Sequence, residues 1–358
     1  MTGAKATDVS DRVPLRSTVS NRHASPTQGY LLSQRLIAGI VRQTRRESIR
    51  LVGAVGVGVS GGCLGRGVGR GTEDPSNVRV GSKSFPEQRV LGYLAYHGLQ
   101  SVEGIQVVNE IGYGNSRENW EATRTGIKDL YWEYTGTAWS RLPPRRDERI
   151  TDPDRLYRLV SEDARSQGVR MAPPASFSNG YVLIADRDWS ERTGVTTISE
   201  FATHVGSGDT DFGVALNEDF YHRSDGWSGL VEYYGIGSEA KETLESGTFI
   251  ITSVGITYEL LSDDRVQVAS GFDTDPQLES RSFVTLRDDR EYFLPYQPSP
   301  TAYAPTIEEH PGLFDHLRPI VSALDKRTIR RLTRRVIMED ESPSAVARSY
   351  LNEIGVVG

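Results

Sequence analysis

One cysteine, Cys63, stands in 358 residues, so neither a disulfide framework within the chain nor a thiolate metal cluster can be built from it. No stretch approaches the roughly 20 apolar residues needed to span a bilayer. With 37% hydrophobic residues and a mean hydropathy of -0.44, the chain is not a membrane-embedded transporter. The six histidines, His23, His97, His204, His222, His310 and His316, form no His-Glu-x-x-His or comparable ligand spacing; His310 and His316 are expected to lie exposed on one tail helix. Beyond residue 62 no Gly-x-Ser-x-Gly nucleophile turn occurs. These absences argue against an enzyme. Lysine is also scarce: beyond residue 62 only Lys83, Lys128, Lys241 and Lys326 are found.

Charge is divided along the chain. Residues 1–62 carry nine basic and three acidic side chains, a net +6, and the remainder carries 32 basic against 45 acidic, a net -13. Scattered aspartate, glutamate and arginine with little lysine suit a densely hydrated surface that stays soluble in high salt, where charge repulsion reaches only a few ångströms. The same acidic surface repels phosphates and argues against nucleic acid as a partner.

The N-terminal part has the order of an export signal. Thr44-Arg45-Arg46-Glu47-Ser48-Ile49-Arg50 precedes the weakly apolar, glycine-rich run Leu51 to Gly62, and Cys63 follows. Twin arginine, short apolar region and lone cysteine are the features of a twin-arginine signal ending in a lipobox, with Arg45 and Arg46 as the export signal and Cys63 as the lipidated residue. Ser48 and Ser60 depart from that pattern, standing where apolar residues are usual. The alternative is an unmodified cysteine in a loop. Residues 1–40 extend the charged region beyond normal length, and initiation nearer Val41 is the expectation. Glycine alternation over 53–58 and 65–69 lacks a Gly-Lys-Ser/Thr ending and reads as signal and linker, not as a nucleotide loop.

Beyond the linker, β-patterned runs alternate with helical ones. Val78-Arg79-Val80, Ile105 to Ile111 and Asp129 to Glu133 read as strands; Pro86 to Leu99, Ser116 to Thr125 and Asp154 to Gln167 read as helices. Tyr181 to Ala185 begins a second unit with the same alternation. The tail reads as three helices, Ile307 to Leu317, Arg327 to Met338 and Ser344 to Ile354. The pattern predicts α/β architecture around largely parallel sheets, in two lobes with a ligand cleft between them. The expected division is 1–62 extension and signal, 63–77 linker, 78–179 first lobe, 180–282 second lobe, and 283–358 the return to the first lobe.

Two motifs carry the chemistry. Gly81-Ser82-Lys83-Ser84-Phe85-Pro86-Glu87-Gln88 leaves the first strand and opens a helix, where a lysine beside free N–H groups suits an anion. Asp129-Leu130-Tyr131-Trp132-Glu133-Tyr134-Thr135-Gly136-Thr137 places aromatic faces beside hydroxyls at a strand end. A quaternary ammonium has no N–H to donate, and a protein holds it by surrounding it with π-faces. Taken singly, each motif also fits a surface lysine or an ordinary strand and turn.

Together they resemble the glycine betaine and choline-binding proteins of ABC importers, whose pattern runs Gly-Ser-Lys-Asn-Phe-Thr-Glu-Gln and later Asp-Leu-Tyr-Pro-Glu-Tyr-Thr-Gly-Thr. Further islands follow in order: Ser178-Asn179-Gly180-Tyr181, Phe220-Tyr221-His222-Arg223-Ser224-Asp225-Gly226, Gly271-Phe272-Asp273-Thr274-Asp275, and Phe293-Leu294-Pro295-Tyr296. The resemblance covers most of 78–355 and implies a two-lobed, periplasmic-binding-protein-like (type II) fold. It implies that Tyr134, Tyr181, Phe272 and Tyr296 wall a box around a trimethylammonium head, while Lys83, Thr137 and Arg223 bind a carboxylate. Phe272 replaces the usual tyrosine, keeping the π-face without the hydroxyl. Asp219 would either orient Arg223 or be a plain surface carboxylate, and Trp120, Trp132, Trp139, Trp189 and Trp227 are assigned to packing.

Desolvated cation–π contacts are worth about 0.5–2 kcal/mol each, so four walls and a carboxylate clamp can reach the roughly -8 kcal/mol of micromolar binding. The expected ligand is glycine betaine, because choline would leave Lys83 and Arg223 facing a site without counter-charge. Choline, carnitine and proline betaine remain alternatives, as do a fold-retaining lipoprotein without a ligand and, less favoured, an enzyme. The implied partners are an ABC permease with its cytoplasmic ATPase and, through the lipid anchor, the outer face of the cell membrane. No cofactor or metal is expected.

Overall fold

A computed structural model describes residues 77–357. The extension, Arg45, Arg46, Cys63 and the glycine-rich runs lie outside the described residues.

Among the described residues ten strands form two five-stranded sheets, one in each lobe. The first lobe holds β1 (Asn77–Gly81), β2 (Gln106–Glu110), β3 (Leu130–Tyr134), β4 (Val169–Met171) and β10 (Pro298–Tyr303), in the order β2-β1-β3-β10-β4. The second holds β5 (Tyr181–Asp186), β6 (Val214–Asn217), β7 (Phe249–Thr252), β8 (Val268–Phe272) and β9 (Phe283–Leu286), in the order β7-β6-β8-β5-β9. Each sheet is mixed, not largely parallel. β1 pairs with β2 and β3 in parallel, and β6 does so with β7 and β8. β10 is antiparallel to β3 and β4, and β5 is antiparallel to β8 and β9. β10 is the strand laid down after the return crossing, and β5 is the strand by which the chain enters the second lobe.

Two expectations are corrected here. The second lobe does not end at residue 282, because β9 joins its sheet beside β5; the return crossing lies between Leu286 and Pro298. The single tail helix expected over 307–317 is two, Ala304–Glu309 and Leu313–Ala323, interrupted at Pro311 and Gly312. His310 therefore stands at the end of one helix and His316 inside the next.

Local chemistry accounts for the helix starts that matter. Pro86–Gln100 begins with proline at its first position, where the missing N–H has no helical partner to lose. Ser116–Arg124 starts from an Asn115 capping box closed by Glu118. β3 is buried along its whole length, because helices pack against it as well as strands on both edges. Val80, Leu91, Leu94, Leu130, Trp132 and Leu351 share the core of the first lobe, and Leu183, Phe201, Leu216, Trp227, Leu230 and Val268 that of the second. All five tryptophans are buried in such clusters, in keeping with packing. The two crossing segments are bonded to each other: Asn179 N–H donates to the Tyr296 carbonyl at 2.9 Å, and Tyr296 N–H to Ser178 Oγ at 2.9 Å.

Candidate functional site

The ends of several strands converge on a cavity of about 180 Å³ between the lobes, and its lining includes Lys83, Tyr134, Thr137, Tyr181, Arg223, Phe272 and Tyr296. Each comes from a different place in the fold. Lys83 leaves β1, Tyr134 ends β3, and Thr137 sits in the first turn of the helix Thr135–Arg141. Tyr181 opens β5 directly opposite Phe272, the last residue of β8. Arg223 follows the helix Glu218–His222, and Tyr296 lies in the return crossing. Gly136 permits the approach of that crossing: a Cβ there would stand 2.8 Å from the Pro295 carbonyl oxygen and 2.9 Å from the Tyr296 ring. Gly226 plays the same part near Arg223, since a Cβ would come within 1.9 Å of the Phe220 carbonyl oxygen.

Tyr181 is the centre of the aromatic group. Its ring centroid lies 4.8 Å from Phe272, 4.9 Å from Phe220 and 6.4 Å from Tyr296, the last edge-on. Tyr134, on the first lobe, stacks on Phe85 at 6.3 Å. The protein's own cations already use these rings. Lys83 Nζ is 4.7 Å from the Tyr134 centroid, and the Arg223 guanidinium is 5.5 Å from Tyr181 and 5.8 Å from Tyr296. No such cation is placed over Phe272 among the described residues.

Neither basic group stands without a counter-charge, contrary to the ground on which betaine was expected to exceed choline. Lys83 is ion-paired with Glu133, which is fully buried and also accepts from Tyr131 Oη at 3.1 Å and from the Tyr134 N–H at 2.7 Å. Such added bonds are what a buried pair requires to offset desolvation. Burial still holds the Lys83 ammonium below its ordinary range, with Glu133 acting against the shift. Arg223 grips Asp225 through two bonds, Nε to Oδ1 at 2.8 Å and Nη2 to Oδ2 at 2.6 Å. Ser140 Oγ and Tyr296 Oη donate to the same Oδ2 at 2.9 and 3.2 Å. Although burial alone would raise the Asp225 carboxyl, the Arg223 bonds hold it below the usual carboxylate range. Asp225, not Asp219, orients the guanidinium; Asp219 lines the cavity with an exposed side chain.

Glu87 is the further charged group beside the site. Its Oε1 accepts from Tyr134 Oη at 2.6 Å and from Asn179 Nδ2 at 3.0 Å. Burial pushes its carboxyl up to about 7, against hydrogen bonding from Thr274 and Tyr134. Burial likewise raises Tyr181 to about 12, so its hydroxyl remains protonated at neutral pH.

Sequence reasoning missed Phe85, Asn179, Asn217, Ser116 and Val254 as lining residues. Phe85 and Asn179 stand inside the motifs already singled out, so their spacing was the available signal. Asn217 caps the helix that carries Arg223, accepting from the Phe220 N–H at 2.9 Å. Val254, an exposed valine beside Gly255, has no sequence signature. Among the described residues no group of three His, Cys, Asp or Glu is placed to hold a metal ion, and no helix is long and apolar enough to cross a membrane.

The chain is 28% identical over 289 residues to the glycine-betaine-binding protein of Pseudomonas aeruginosa, covering 79% of this chain and 89% of that one. It is 25% identical over 283 residues to the glycine betaine-binding protein YehZ of Escherichia coli, covering 78% and 91%. A chemotactic signal transduction system substrate-binding protein, CosB of Halobacterium salinarum, is 30% identical over 229 residues, 62% of this chain and 67% of that one. In three dimensions it superposes on apo YehZ with a TM-score of 0.60 at 23% identity, over 79% of this chain and 100% of that one. A glycine betaine/carnitine/choline ABC transporter structure gives 0.65 at 19% identity, over 78% and 98%. At these identities the superpositions establish the two-lobed fold alone. These relatives are named as binding proteins, and the family described as the substrate binding domain of ABC-type glycine betaine transport systems matches residues 76–353; the chain belongs to that family.

Proposed function

We propose that this protein captures glycine betaine, or a related quaternary ammonium osmolyte, between its lobes and delivers it to an ABC permease for osmoprotective uptake. The observation that carries this reading is that four aromatic residues from both lobes and the crossing line one cavity with Lys83, Thr137 and Arg223. A trimethylammonium group gains from π-faces without needing an acceptor. Thr137, with Lys83 and Arg223 as shared donors, would meet a carboxylate. Tyr134, Tyr181, Phe272 and Tyr296 are the cage; Glu133 and Asp225 hold the two cations in place. The reading includes export through Arg45-Arg46 and anchoring to the cell surface through a lipid on Cys63, in a salt-rich habitat that the acidic, lysine-poor composition suits.

A choline-preferring receptor is the second reading, favoured by the pairing of Lys83 with Glu133 and Arg223 with Asp225, which leaves no fixed positive charge bare. Isothermal titration in multimolar salt tests both. Micromolar binding of glycine betaine, tighter than of choline, is the expected result; tighter choline binding favours the second reading, and no binding of any methylated ammonium compound overturns both. Mass spectrometry of the membrane-extracted protein tests the anchor, by a diacylglyceryl mass on Cys63.

A further inference from the structure

Glu87 stands where the two lobes and the first crossing meet. It lies in the first turn of the helix Pro86–Gln100 of the first lobe and is 4% exposed. Its Oε1 accepts from Tyr134 Oη within that lobe and from Asn179 Nδ2 in the crossing. From the second lobe Thr274, also buried, hydrogen-bonds the same carboxyl. With two donors already on Oε1, the proton of the neutral acid belongs on Oε2, from which it can be given to Thr274. The next residue, Asp275, accepts on its Oδ2 from the Phe272 N–H and from Tyr258 Oη, both at 2.8 Å. Each lobe thus brings one carboxyl to the boundary, and both border a mainly apolar cavity of about 230 Å³ that adjoins the aromatic one through Phe85, Asn179, Val254 and Phe272.

Two carboxyls facing one another where water is scarce are held together only while a proton is shared out to them. Burial pushes Asp275 up to about 6 against the bonds it receives, and its nearness adds to the rise that burial imposes on Glu87. The other charged or titratable groups that face Glu87 are Lys83, from the turn after β1 and already paired with Glu133, and Tyr134, at the end of β3. Asp275 is faced in turn by Arg330, from the helix Lys326–Ile337, and by Asp273. No cation is thereby paired with Glu87 to hold its charge in place.

We propose that Glu87 is a positioning residue operated by a proton: neutral, it holds the lobes together through Thr274 and Asn179, and ionised, it faces Asp275 across the cavity and lets the ligand-free protein open. This inference goes beyond the aromatic-cage reading, since it needs only the two lobes and their boundary. Its direction follows from linkage. On opening, the carboxyl meets water and returns towards its ordinary 4.5, so the closed form is the one that binds the proton more tightly. The advantage of closure is complete below that value and is lost as pH rises through 7. For a carboxyl at about 7 when closed, the closing constant falls about tenfold between pH 6 and pH 8.5.

Small-angle X-ray scattering on the full ligand-free chain at constant salt should give a larger radius of gyration at pH 8.5 than at pH 6. Glycine betaine should bind more weakly at the higher pH, by up to about tenfold, in proportion to the closed fraction. Glu87→Gln, which keeps the neutral form at every pH, should show the pH 6 radius and affinity at both. If that variant does not fold, Asp275→Asn, which removes the facing charge and can still accept the bonds of Phe272 and Tyr258, should move the opening to higher pH; an unmoved opening would count against the proposal. A radius that does not change with pH overturns the inference, as does equal affinity for glycine betaine at the two pH values or a change that survives in Glu87→Gln. If the radius changes as expected but no methylated ammonium compound binds, the cage reading falls and this inference stands; a constant radius with glycine betaine bound gives the reverse.

Discussion

A tyrosine that lines a ligand cavity must have its hydroxyl satisfied elsewhere, or the polar atom competes with the ring for what is bound. Tyr134 meets this by donating to Glu87, and Tyr296 by donating to Asp225. Both rings are thereby held with their edges tied back. Tyr134→Ala and Tyr296→Ala should each raise the dissociation constant for glycine betaine at least tenfold while the thermal transition remains cooperative; titration showing near-normal affinity in both would remove the cage. The residue scale is also where sequence reasoning was weakest about charge. Lys83 and Arg223 were legible as basic residues in the right motifs, but their carboxylate partners were not. Glu133 lies 50 residues from Lys83, and choosing Asp225 over Asp219 for Arg223 depended on the turn after the helix Glu218–His222, not on spacing alone.

At the level of elements, the turn from β3 into the helix Thr135–Arg141 holds the site against the return crossing. Thr135 bonds that crossing three times: its N–H donates to the Gln297 carbonyl at 3.0 Å, its Oγ1 donates to the Pro295 carbonyl at 2.9 Å, and the same Oγ1 accepts from the Gln297 N–H at 3.1 Å. The space beside Gly136 is already filled, so Gly136→Ala should destabilise the protein by about 1–3 kcal/mol, the usual penalty of overpacking. Urea unfolding measures it, and an unchanged midpoint would show that the crossing moves aside freely. β10 is the element the sequence concealed. Its Pro298 and Pro300 lack N–H groups and argue against a strand flanked on both sides. The fold accommodates them because their carbonyls still accept, from the N–H groups of Ala175 and Ala172 at 2.9 and 2.8 Å. β9 was missed for a different reason: Phe283–Leu286 is short, and only its pairing with β5 assigns it to the second lobe.

Across the whole molecule, one face of the helix Lys326–Ile337 in the first lobe grips the second. Lys326 pairs with Asp273 at 2.5 Å, Arg330 donates to the Asp273 carbonyl at 2.6 Å, and Arg334 pairs with Glu279 at 2.8 Å. These side chains are spaced four residues apart and so share a helix face. Exposed pairs contribute about 0–1 kcal/mol each, yet all three resist separation of the lobes. Lys326→Glu combined with Arg334→Glu should quicken ligand release roughly three- to tenfold in stopped-flow measurements, with the effect fading as salt is raised; equal release rates at low salt would show that the face is ornamental to closure.

Stability should also depend on pH through the carboxyls that burial raises, Glu87 to about 7 and Asp275 to about 6. The folded protein keeps these protons after the unfolded chain has released its own near 4.5 for glutamate and 3.8 for aspartate. Their stabilising effect is therefore complete below those values and is lost as pH rises through 6 and 7. For Glu87 the loss is on the order of 3 kcal/mol. The ligand-free protein should melt at a lower temperature at pH 8 than at pH 5, and Glu87→Gln should flatten that slope. Parallel melting curves for the two proteins would show that Glu87 does not carry the dependence.

The sequence by itself determined the family, the alternation of helix and strand, and the seven side chains that meet in one cavity, because these are carried by local periodicity and by motifs whose spacing survives in a linear reading. Tertiary structure decided which carboxylate neutralises which cation, where the chain crosses back between lobes, and that a second cavity adjoins the first. Those depend on distances between residues far apart in the chain, and such distances exist only once two sheets have packed across a shared crossing.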